Sequence, residues 1–139
     1  FNFDKMLAMD GNTAPYMQYA YARIKSIERK AQSKDVDIET ELADLKQIVN
    51  LTEPSELDLA KHLVRYGEAI QSAVVDYRPN YLTAYLYELA QLYSSYYQNV
   101  PFLKAEEGVR ESRVRLCGIV AKVMSQGLSL LGIETPERI

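Results

Sequence analysis

Pro79-Asn80-Tyr81-Leu82-Thr83-Ala84-Tyr85-Leu86-Tyr87-Glu88-Leu89-Ala90-Gln91-Leu92-Tyr93-Ser94-Ser95-Tyr96-Tyr97 decides the fold class. Leu82, Leu86, Leu89, Tyr93 and Tyr96 recur at offsets of 0, 4, 7, 11 and 14. Residues three and four apart share a helix face, so this spacing draws one apolar stripe along an α-helix. Tyr87, Gln91 and Gln98 fall away from it. Pro79 suits a first helical turn, where a missing N–H leaves nothing unpaired. Asn99-Val100-Pro101 marks the end of the longest uninterrupted helical pattern in the chain.

The same period continues on both sides. Upstream, Gly11-Asn12-Thr13 reads as a turn and cap, with Pro15 in the first turn of a helix reaching about Ala31. Tyr16, Ala20, Arg23, Ile24 and Ile27 share one side of it. Residues 32–37 are polar and read as a connection. Ile38, Leu42, Leu45 and Val49 predict a short second helix. Glu53-Pro54-Ser55-Glu56 starts a third, with Leu57, Ala60, Leu63 and Val64 inward, interrupted at Gly67 before Ile70, Val74 and Val75. Downstream, Leu116, Val120, Val123, Gly127 and Leu130 stripe a last helix from about Val109 to Leu131, with Gly132 as its C-cap and Pro136 forbidding continuation. Strand-like alternation never persists. The expected fold is an all-α, antiparallel bundle of five to six helices joined by short loops.

A chain of 139 residues is one domain, 1–139, with enough length for a core. Hydrophobic content of 47% with 25% charged residues describes a globular chain, not a disordered one. No apolar run approaches the ~20 residues of a membrane span, so no membrane is expected as a partner. Cys117 is the single cysteine; it cannot form an internal disulfide, and a reducing compartment is the simplest setting. The chain starts at Phe1, which reads as a piece of a longer protein.

Net charge is −3, which argues against a generic nucleic-acid coat protein. Its distribution is uneven. Residues 1–34 carry six basic and three acidic side chains, and residues 35–60 carry one basic and eight acidic. A polyanion would be held on one side and repelled from the other. Arg23, Lys25, Arg29 and Lys30 follow three tyrosines on the first long helix. On chemistry alone that helix reads either as a core helix with a solvated basic face or as a surface for unstacked bases and phosphates.

Catalysis finds little support. His62 is the lone histidine, flanked by Lys61 and Arg65, and reads as a solvated surface residue without a nucleophile nearby. Cys117 borders the last apolar stripe and reads as a small buried hydrophobe. One Cys and one His do not make a metal-ligand set. Eleven tyrosines without a tryptophan form an unusual aromatic supply. Pattern places most of them in the core. Tyr16, Tyr19 and Tyr97 lie near helix ends, where a ring can also present its face to an extruded base.

Several stretches resemble one family. Asp10 to Ile24 (DGNTAPYMQYAYARI) is similar to the first helix of the C-terminal anticodon-binding, DALR-type domain of arginyl-tRNA synthetases. Asp76-Tyr77-Arg78-Pro79 leading to Tyr85-Leu86-Tyr87-Glu88-Leu89-Ala90 resembles that family's central helix, with Ser94-Ser95-Tyr96-Tyr97 as its aromatic end. Ser112-Arg113-Val114-Arg115-Leu116 and the run from Gly127 to Arg138 resemble its last helix and C-terminal signature. The resemblance spans nearly the whole chain in family order.

It implies a domain that grips the anticodon stem-loop of arginine tRNA, not DNA, in the cytoplasm. Arginines would hold phosphate and tyrosines would stack splayed bases. The implied tRNA-binding residues are Tyr16, Tyr19, Arg23, Arg29, Tyr97, Arg113 and the terminal Ile139. The family charges tRNA with arginine using ATP on a class I catalytic domain with HIGH-like and KMSK-like motifs, neither of which occurs in this sequence. The resemblance therefore implies a non-catalytic piece of an arginine–tRNA ligase, with no cofactor of its own, ATP and Mg belonging to the full-length enzyme, and the catalytic domain of the same chain as its neighbour. The rival reading is a helical protein–protein interaction module with tyrosine-rich grooves.

Overall fold

Proline at N1, a helical apolar period and a glycine past the last turn are local signals, and the chain obeys them. A computed structural model describes residues 2–32, 50–101 and 104–139. The regular elements among them are α1 (Phe3–Met6), α2 (Ala14–Gln32), α3 (Pro54–Val64), α4 (Tyr66–Val75), α5 (Pro79–Asn99) and α6 (Val109–Leu130). All are helical, as the periodicity requires. The expected second helix at Ile38, Leu42, Leu45 and Val49 lies outside the described residues, as does nearly all of the polar connection before it.

Helix α5 is the centre of the bundle and packs against α2, α3, α4 and α6. Its whole stripe, Leu82, Leu86, Leu89, Tyr93 and Tyr96, is buried. Met17, Ala20, Tyr21, Ile24, Ile27 and Ala31 of α2 meet it from one side. Val114, Cys117, Val120, Met124 and Leu128 of α6 meet it from another. Burial pushes the Cys117 thiol well above its ordinary range, as expected of a buried structural cysteine. Helices α5 and α6 come unusually close at Gly127. A Cβ there would sit 2.7 Å and 2.9 Å from the two methyls of the fully buried Leu86.

Three expectations about faces need correction. In α3 the inward residues are Glu56, Leu59 and His62, whereas Leu57 and Val64 are exposed. Polar partners on neighbouring helices turn α3 away from its most apolar face. The Arg113 Nε donates to Glu56 Oε1 at 2.8 Å. His62, expected at the surface, stacks on Tyr85 with ring centroids 4.1 Å apart. Its Nε2–H donates to the Tyr85 carbonyl at 3.0 Å, and the Tyr85 hydroxyl donates to the His62 carbonyl at 2.7 Å. The break between α3 and α4 falls at Arg65, not Gly67. Val74, Val75 and Leu130 continue their stripes but stay exposed.

Two helices end in Schellman motifs, in which a left-handed residue lets two N–H groups reach back to orphan carbonyls. After α6 the left-handed residue is Gly132 (φ 74°), as its sequence position predicts, and Ile133 N–H bonds to the Leu128 carbonyl at 2.9 Å. After α4 it is Tyr77 (φ 53°), and Arg78 N–H bonds to the Ala73 carbonyl at 2.9 Å. Tyr77 occupies a glycine's position with its side chain 92% exposed.

Candidate nucleic-acid interface

Helix α2 is launched by a side-chain cap. The Thr13 hydroxyl accepts the Tyr16 N–H at 3.3 Å and donates to the Ala8 carbonyl at 2.6 Å. This cap sets the rotation of α2. Met17, Ile24 and Ile27 go into the core, and Tyr19, Arg23, Ser26 and Arg29 line the outside.

Beside the start of α2 the motif at Gly132 turns the chain back. The tail then runs beside α2 in the same direction: the Gln18 side-chain amide donates to the Glu134 carbonyl at 2.9 Å, and Arg29 Nη1 donates to the Glu137 carbonyl at 3.2 Å. Between tail and helix lies a cleft of about 380 Å³ lined by Tyr19, Arg23, Arg29, Arg138 and Ile139, among others.

Three guanidinium groups outnumber the side-chain carboxylate of Glu137 and the main-chain carboxylate of Ile139, which gives the cleft a positive balance. Arg23 lies over the ring of Tyr97, 5.2 Å from its centroid, and Tyr97 in turn stacks on the buried Tyr93 at 6.4 Å with 16° between planes. A cation held over a ring keeps its outward N–H groups for a ligand, and the ring is braced from behind. Lys25, next to the cleft, pairs with the buried Glu28. Burial lowers the affinity of its ammonium for a proton, but the hydrogen bond and charge of Glu28, helped by Glu137, outweigh that and raise its pKa. The cleft can therefore offer fixed positive charge, a half-exposed tyrosine and an apolar tip, Ile139, to an anionic ligand with flat rings.

The structure brings together five of the seven residues singled out from the sequence. Tyr19, Arg23, Arg29 and Ile139 line the cleft, and Tyr97 backs it through Arg23. Tyr16 stands apart, half-buried, with its ring edge-on to Tyr87 at 5.5 Å. Tyr87 accordingly faces α2 and is half-buried, not turned away as its offset suggested. Arg113 belongs elsewhere: it is 8% exposed, bound to Glu56, and donates through Nη1 to the Pro101 carbonyl. An arginine so placed ties α6 to α3 and to the end of α5, and its head group is not available to phosphate. Gln18, Ser26 and Arg138 went unnoticed in the sequence, since nothing local marks the partners of a tail that folds back.

Among the described residues no group of three or more His, Cys, Asp or Glu side chains is placed to hold a metal ion. No described helix is long and apolar enough to cross a membrane.

The comparisons with known proteins agree with this arrangement. The family model of the DALR anticodon binding domain matches residues 17–139. An arginine–tRNA ligase of Synechocystis sp. is 48% identical over 139 residues, all of this chain and 23% of its own length. One from Proteus mirabilis is 45% identical over 140 residues, again 23% of its length. The solved arginyl-tRNA synthetase of Thermus thermophilus superposes with a TM-score of 0.83 at 33% identity, over the whole of this chain and 23% of that one. The chain thus spans about a quarter of the length of these relatives. A helical bundle with a basic, tyrosine-bearing cleft, matched along nearly its full length, belongs to the DALR anticodon-binding domain family of arginine–tRNA ligases.

Proposed function

We propose that this domain holds the anticodon stem-loop of arginine tRNA for an arginine–tRNA ligase, whose ATP- and Mg-dependent charging is carried out by a catalytic domain elsewhere in the longer protein. The cleft between α2 and the C-terminal tail carries this reading. Arg23 and Arg138 meet phosphate, Tyr19 and Ile139 meet unstacked bases, and Tyr97 holds Arg23 in place from behind. The overall charge of −3 fits such a local grip better than a general affinity for nucleic acid.

Attachment to the catalytic domain fits a different face. Ile70, Val74, Tyr77, Leu82, Leu130 and Leu131 line a mostly apolar groove of about 490 Å³. The rival reading as a protein–protein module rests on the same groove.

Titration of the 139-residue chain against arginine tRNA and a non-cognate tRNA at several salt concentrations tests the proposal. Cognate tRNA should bind more tightly, and each phosphate contact should add about 0.7–0.9 to the slope of log affinity against log salt. Equal affinity for both tRNAs, or a flat salt dependence, would overturn it.

A further inference from the structure

Ile133 packs against the core, but beyond it Glu134, Pro136, Glu137, Arg138 and Ile139 are exposed and Thr135 is half-buried. An exposed terminal segment frays unless something ties it down. Here three side chains of the bundle do so. Gln18 donates to the Glu134 carbonyl at 2.9 Å, the hydroxyls of Ser125 and Thr135 bond at 3.2 Å, and Arg29 donates to the Glu137 carbonyl at 3.2 Å. Two of the three acceptors are main-chain carbonyls. Bonds to main chain hold the path of a segment whatever side chains it carries, so they position the tail and leave its tip to meet the ligand.

We propose that Gln18 and Ser125 are positioning residues: with Arg29 they clamp residues 134–137 along α2 and α6, so that Arg138 and Ile139 stand at the mouth of the cleft. Gln18 and Ser125 act on the nucleic acid only through the tail, and Arg29 serves the tail rather than phosphate. The effect on binding rests on the tRNA reading above; the hold on the tail does not.

The test uses the full 139-residue chain. Gln18→Met keeps the side chain's length and removes its donor; Ser125→Ala removes the hydroxyl. Without RNA, release of Ile139 by a carboxypeptidase should quicken about fivefold for a single variant and about 20-fold for the double, the scale of one and two ordinary hydrogen bonds, and backbone NMR order parameters at residues 135 and 137–139 should fall. Order parameters in the helices and the melting temperature should not move. Unchanged tail order parameters with Ile139 release within about twofold of wild type in the double variant would overturn the clamp.

With the anticodon stem-loop of arginine tRNA, Gln18→Met should weaken binding, and adding Ile139→Ala should weaken it little further, because both act through the tail. Additive losses would mean that Gln18 touches RNA itself and would overturn the positioning role. A wild-type chain that bound no stem-loop would sink the tRNA reading, while the carboxypeptidase and order-parameter measurements would still decide the clamp.

Discussion

Replacing Arg113 by Met should lower the melting temperature of the domain by about 10–17 °C at neutral pH. The side chains of Arg113 and Glu56 are 9% and 1% exposed, so their pair is almost wholly out of water. Met fills much of the arginine's volume but leaves the Glu56 carboxylate facing the N–H groups of Thr52 and Glu53, at 2.9 Å and 3.1 Å, and the Thr52 hydroxyl at 3.5 Å, with no positive charge. Breaking a buried pair from one side costs about 3–5 kcal/mol, because the remaining charge has neither solvent nor partner. An unfolding entropy of about 2.1 cal/mol/K per residue converts each kcal/mol into about 3.4 °C for a chain of 139 residues. Calorimetry or circular dichroism melting reads the shift.

A second substitution separates the charge from mere packing. Glu56→Gln in the Arg113→Met background removes the stranded charge, and its amide oxygen can still accept a cap N–H. It should recover more than half of the loss.

The pair also predicts a pH dependence. Burial alone would raise the Glu56 pKa, but the Thr52 and Glu53 N–H groups and the Arg113 guanidinium outweigh it and hold the carboxyl below the usual glutamate range. The unfolded chain therefore takes up this proton first on acidification. The stabilisation is complete above the ordinary value of about 4.3 and is lost as pH falls through the lower folded value. The gap between wild type and Arg113→Met should narrow as pH falls below the ordinary glutamate value of about 4.3. A loss under about 3 °C at pH 7, or a double variant no more stable than Arg113→Met, would refute the reasoning.

Two further substitutions test the packing and the backbone. Gly127→Ala should destabilise by about 1–3 kcal/mol, or about 3–10 °C in melting temperature, since its methyl group would overlap the buried Leu86; an unchanged melt would show that α5 and α6 separate freely there. Tyr77→Gly should stabilise the domain by about 1 kcal/mol, raising the melting temperature by about 3 °C, because glycine adopts the left-handed conformation without strain and the tyrosine ring is 92% exposed; a lower melting temperature would show that the ring is held by contacts that matter to folding.

Local spacing alone determined the helical class and the bounds of the longest helices, α2, α5 and α6, to within a residue or two. Pro79, Gly132 and the Leu82–Tyr96 stripe each act within a turn or two of the chain, and the structure places them as that logic requires. The residues that the sequence singled out on α2, at the end of α5 and at the tail lie together in the structure, with Tyr19, Arg23 and Ile139 around one cleft and Tyr97 behind it. What a polar side chain does was decided only by packing. The resemblance implied that Arg113 meets tRNA, and His62 read as a solvated surface residue. Each is buried because a partner arrives from another helix, Glu56 from 57 residues away and Tyr85 from 23. Val74, Val75 and Leu130 are apolar yet exposed, Val74 and Leu130 as walls of the open groove between α4, α5 and α6. The cleft exists because the tail after Gly132 folds back onto α2, a course set by the Gln18, Arg29 and Ser125 contacts. Helix formation depends on neighbours in sequence, and so it is legible there. Burial of charge and the path of a terminal segment depend on neighbours in space, which only the folded bundle brings together.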